Sequence, residues 1–144
     1  MIESDTIKLL RECDAGIKMG VKSIDDVMDY VKSPELKADL NACKDEHAKL
    51  DCELQSLLDK YGDDGKDPNP VANAMSWIKT NIKLVVNESD STIADLMTDG
   101  CNMGVKSLNK YLNEYEAADE VSKDICKRLI KLEEKLLTQM RAYL

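Results

Sequence analysis

Apolar and small residues recur near the start of the chain at Leu10, Cys13, Ile17, Gly20, Ile24, Val27 and Val31, in steps of three and four. That spacing lines one face of an α-helix and predicts a helix near 5–32, capped by Ser4 or Asp5. Lys8, Lys18, Lys22, Asp25, Asp26 and Asp29 fall off the face and are expected in solvent. Ser33-Pro34-Glu35 ends one helix and begins the next, because Ser33 caps and Pro34 suits the first helical position. The second helix, expected over 34–61, carries Leu36, Leu40, Cys43, His47, Leu50, Leu54, Leu57 and Tyr61 in the same rhythm. Gly62 stands just past its end, where a left-handed residue is favoured. So short a connection folds the pair back as an antiparallel hairpin.

The run Gly62-Asp-Asp-Gly-Lys-Asp-Pro-Asn69 reads as a loop. Beyond it Val71, Met75, Ile78, Ile82 and Val85, with Trp77 beside them, predict a shorter amphipathic helix near 70–86. Asn87-Glu-Ser-Asp-Ser91 is capping chemistry for a third long helix over 90–115, with Ala94, Met97, Cys101, Gly104, Leu108, Tyr111 and Tyr115 on its seam. A turn at Ala117–Glu120 leads into a fourth, near 119–143, whose inward face holds Ser122, Ile125, Leu129, Leu132, Leu136 and Tyr143. Cys126, Ile130, Leu137 and Met140 widen that face.

The first and third helices share one string. Gly16-Ile-Lys-Met-Gly-Val-Lys-Ser-Ile24 returns as Gly100-Cys-Asn-Met-Gly-Val-Lys-Ser-Leu108. An internal repeat of this length makes the chain two copies of one hairpin, about 4–61 and 88–144, joined by a crossover over 62–87. Two hairpins linked by one long crossover form a ferritin-like four-helix bundle, so the expectation is a single all-α domain over 1–144 with a fifth short helix in the crossover.

Composition agrees with this and narrows the function. The chain has 144 residues, 43% hydrophobic and 33% charged, with no Phe and one Trp. That suits one helical domain with one core. The net charge of −8 disfavours nucleic acid as a partner. Met1–Thr6 shows no leader pattern and no apolar run reaches membrane-spanning length, so a soluble cytoplasmic protein is expected. Five cysteines without a C-x-x-C pair fit that compartment.

The residues also resemble the small bacterial ferritin-like four-helix-bundle family of unknown function. The matching pieces are Gly16 and Gly20, the Pro34-Glu35-Leu36 turn, Trp77 and Gly100. The resemblance spans nearly the whole chain and implies the fold; it implies almost nothing about activity.

Ferritin-like oxidases hold two metals with a Glu on each of two helices and a Glu-x-x-His on each of the others. Here the single histidine, His47, has Lys44 three residues before it, and the fourth helix has no histidine. The ligand count argues against a di-iron enzyme. What remains is His47 on the seam of the second helix, level with Gly20 on the first and with Glu133 on the fourth. His47 with Glu133, Glu46 or Cys43 makes a candidate site for a single divalent cation such as zinc. The commoner reading is a buried imidazole with one hydrogen-bond partner, Glu133 or Glu46.

Each glycine in a helix costs about 1 kcal/mol relative to Ala. Gly16, Gly20, Gly100 and Gly104 are therefore expected to serve close helix packing, in preference to cofactor access. Cys13, Cys43, Cys101 and Cys126 are expected as core filler and Cys52 as the accessible thiol. Met19 and Met103 are expected as core filler too. The crossover stripe exceeds what a linker needs, which points to a homodimer. The functional expectation is self-association or partner binding without catalysis; the alternative is metal binding at His47.

Overall fold

A computed structural model describes residues 2–66 and 89–144. Four helices carry the described chain: α1 (Ile2–Met28), α2 (Pro34–Lys60), α3 (Asp90–Glu114) and α4 (Glu120–Met140), the last followed by a 3-10 turn at Arg141–Tyr143. No strand occurs among the described residues. None of these helices is long and apolar enough to cross a membrane. The helix expected near 70–86, with Trp77 and its apolar stripe, lies outside the described residues.

The boundaries follow local chemistry. Ser33 Oγ accepts from the Leu36 amide at 3.2 Å, Ser89 Oγ from Thr92 at 3.2 Å, and Asp119 Oδ1 from Ser122 at 2.8 Å. Each cap satisfies an amide that the first helical turn leaves unpaired. Gly62 follows α2 with φ +64°, the left-handed stop anticipated for it.

Two expectations about α1 fail. It begins at Ile2, ahead of Ser4 and Asp5, and the Asp5 carboxylate accepts instead from the Ala117 amide at 3.1 Å, across the bundle. It also stops at Met28, short of residue 32, because the chain tightens into a turn there. Asp90, in the first turn of α3, then takes the Lys32 and Ser33 amides at 2.8 and 2.9 Å. The last helix likewise gives way to the 3-10 turn before residue 143.

The cross-helix contacts fix directions. Asp119 N donates to Thr6 Oγ1 at 2.9 Å, so α4 starts beside the start of α1 and runs parallel to it. Asp90 at the Ser33 turn makes α3 antiparallel to α1. Lys135–Glu46 and Arg128–Glu53 pair along α4 and α2 in opposite order, so these two are antiparallel as well. The hairpins α1–α2 and α3–α4 thus pack with one another around a shared interior.

That interior has two apolar halves. One gathers Ile24, Val27, Leu36, Leu40, Met97 and Leu136; the other gathers Leu10, Ile17, Leu50, Leu54, Leu108 and Leu129. Fully burying a Leu or Ile stabilises by roughly 1.5–3 kcal/mol, so these halves supply the driving force for assembly. In α2 the seam drifts: Leu58 is fully buried while the expected Leu57 is only partly covered. A strict seven-residue count slips against 3.6 residues per turn, and one step of four restores the face. The two halves meet at a polar layer formed by Gly20, His47, Gly104 and Glu133.

Candidate functional site

The layer is built from all four helices. His47 occupies a seam position of α2, between Cys43 and Leu50, and is 1% exposed. Opposite it, α1 carries Gly20. A Cβ at that glycine would stand 3.0 Å from His47 Nε2 and 3.3 Å from Cδ2. The missing side chain is what admits the imidazole. Glu133 reaches in from α4, and its Oε1 lies 3.2 Å from His47 Nε2. Gly104 of α3 closes the layer, its Cβ position 3.4 Å from Glu133 Oε2. The contact of Gly20 with His47, and Glu133 as the imidazole's partner, are as the helix registers anticipate.

Both ring nitrogens are engaged. Nδ1 donates to the Cys43 carbonyl oxygen at 2.8 Å, with Cys43 Sγ 3.5 Å away. With Nδ1 carrying a proton, Nε2 donates to Glu133 when the ring is an imidazolium. Burial opposes that charge, but the contacts with Cys43 and Glu133 together outweigh it and raise His47 from 6.5 to about 10. A buried imidazolium–carboxylate pair therefore sits at the waist of the bundle near neutral pH. Cys101 of α3 lies against the same carboxylate; burial first, then the Glu133 charge, pushes its thiol up.

The four candidate ligands separate on this geometry. His47, Glu133 and Cys43 come together, but Cys43 and Glu133 flank opposite nitrogens of one ring. Glu46 does not join them. It pairs with Lys135 at 3.1 Å on the outer face between α2 and α4, one residue off the inward seam. Among the described residues, no group of three or more His, Cys, Asp or Glu side chains is placed to share one ion. The residues of this layer do not fit a di-metal centre.

Beside the layer, between α1 and α3, lies a cavity of about 290 Å³. All four repeated glycines border it, as do His47, Cys101 and Glu133. The expectation that these glycines serve close helix packing is corrected here. Among the described residues a Cβ on Gly100 would meet nothing within 4 Å, and one on Gly16 would make ordinary contacts at 3.5 and 3.9 Å with Leu129 and Leu108 side chains. Among the described residues no backbone presses on either glycine, so they open space between α1 and α3. Met103, expected in the core, is 58% exposed, whereas Met19 is half-buried; both border the cavity. The cysteines fall as expected, with Cys52 exposed and the other four buried and free.

One buried acid escaped the periodic reading. Asp14 is fully buried and accepts from Lys18 Nζ at 2.9 Å, Gln55 Nε2 at 2.9 Å and the Lys66 amide at 3.0 Å. It ties the loop after α2 onto α1. Lys66 Nζ also meets Glu12, which borders the cavity. Helical spacing shows only the Lys18 contact, four residues on along α1; the other partners of Asp14 come from α2 and the loop.

No curated protein and no solved structure matches the chain. A family profile covers residues 5–114, spanning most of α1 and all of α2 and α3. The chain belongs to the family described as "Domain of unknown function (DUF2383)".

Proposed function

We propose that the protein is a non-catalytic, ferritin-like bundle with a degenerate di-metal site, acting in the cytoplasm by association with a protein surface, first of all a second copy of itself. Support for the ferritin-like part comes from helix directions: α1 antiparallel to α2 and α3 and parallel to α4, with α2 ending and α3 beginning at opposite ends of the bundle. The observation that carries the non-catalytic reading is the closure of the central layer on itself. One histidine is present, and its two nitrogens are taken by Cys43 O and Glu133. Self-association rests on the apolar stripe Val71, Met75, Ile78, Ile82 and Val85 in the sequence. The net charge of −8 speaks against nucleic acid as the partner. Light scattering at tens of micromolar is expected to give a dimer mass; a monomer there would remove the self-association.

A second reading has one specific observation behind it. The 3.2 Å between His47 Nε2 and Glu133 Oε1 is close to the roughly 3–3.5 Å that separates two neighbouring ligands of one zinc ion, each about 2.1 Å from it. A single divalent cation at this pair is the alternative function. Elemental analysis of protein purified without chelator and then refilled with zinc separates the two. One metal per chain, lost in His47→Gln, selects the second reading; none selects the first.

A further inference from the structure

We propose that the cavity between α1 and α3 is a binding site for a compact, mostly apolar small molecule whose one polar group donates a hydrogen bond, such as an alcohol, a phenol or an amine. The site is separate from association between protein surfaces; its choice of guest rests on Glu133 being paired with His47 and not with a cation.

Size sets the first constraint. A dry apolar cavity of roughly 150 Å³ holds benzene, so about 290 Å³ suits a guest of about a dozen non-hydrogen atoms. The walls are largely apolar, with Ile24, Leu96, Met97, Leu108, Leu129 and Leu136 among them. The glycines supply a second observation. Among the described residues alanine at position 100 would favour the helix and touch nothing, yet the position is glycine, bordering the cavity, in both copies of the repeated string.

Charge sets the class of guest. Both nitrogens of the His47 ring are already engaged, by Cys43 O and Glu133 Oε1, so the ring offers no donor to a ligand. The polar groups bordering the space include two carboxylates and the hydroxyls of Ser23, Ser107 and Tyr111. Glu133 Oε2 lies on the Gly104 side of the pair, and the Glu12 carboxylate stands among the lining residues. A guest that brings a donor adds a charge-assisted hydrogen bond in a low-dielectric setting. A carboxylate guest would instead set like charge against Glu133. Apolar walls with a few convergent polar groups are the usual constitution of a small-molecule site.

The test uses the full chain and two probes of similar size, 1-naphthol and 1-naphthoate, in calorimetric titrations. Saturable one-to-one binding of 1-naphthol is expected, with 1-naphthoate weaker by at least about tenfold. Gly100→Leu should fill the cavity and abolish binding while far-ultraviolet circular dichroism and the melting temperature hold or rise. Glu133→Gln keeps the shape and should close the gap between the probes, which keeps the proposal testable if the leucine variant misfolds. No saturable binding, equal affinity for the two probes in the parent protein, or binding that survives a folded Gly100→Leu variant would overturn it. So would binding that appears only after Ile78→Asp and Ile82→Asp, since the chain itself would then be the occupant.

Discussion

Gly20→Ala tests the central layer through a change of sign. Elsewhere in an exposed helix, replacing Gly by Ala stabilises by up to about 1 kcal/mol, through helix propensity. At Gly20 the added methyl would sit 3.0 Å from His47 Nε2, 3.3 Å from Cδ2 and 3.6 Å from Glu133 Oε1. The ring must yield by a few tenths of an ångström, and it is held by Nδ1 at 2.8 Å and Nε2 at 3.2 Å. Overpacking of a fixed buried group costs about 1–3 kcal/mol, which exceeds the propensity gain. A net loss of about 0.5–2 kcal/mol is expected for Gly20→Ala. Gly100→Ala supplies the internal control, because among the described residues its methyl meets nothing within 4 Å and the propensity gain is what remains. Urea denaturation of both variants with unchanged m-values gives the comparison. Two variants stabilised alike would refute the reasoning, since the imidazole would then be free to move aside.

The His47 pair should also be visible in the pH dependence of stability. Its folded pKa of about 10 lies above the unfolded value of 6.5, so its contribution is complete below about pH 6.5 and fades as pH rises through 10. The stability difference between the protein and His47→Gln should shrink over that window, by up to about 5 kcal/mol; a flat difference would dismiss the buried ion pair. Gly65 has φ +82°, and a Cβ there would stand 2.2 Å from Asp14 Oδ2. Gly65→Ala should therefore destabilise by more than about 1 kcal/mol, and a thermal melt unchanged from the parent would refute the tie between this loop and α1.

Much of the architecture is legible in the residue order, because helices are local objects. The steps of three and four, Ser33-Pro34, Gly62 and the capping residues before α3 and α4 place four helices within a few residues of where they lie. Register along those helices also puts Gly20, His47 and Glu133 at one depth, since rise per residue is fixed once the turns are known. What periodicity lacks is the distance between neighbouring helices. Gly16 and Gly100 look the same whether two backbones touch or stand apart, and only the assembled bundle leaves a cavity between α1 and α3. Azimuth is the other missing quantity. Glu46, one residue from His47, points outward to Lys135, and Asp14 points inward to Gln55 and Lys66, because long side chains are settled by partners on other helices. Those partners are distant in sequence, and only the packing of the hairpins brings them within hydrogen-bonding range.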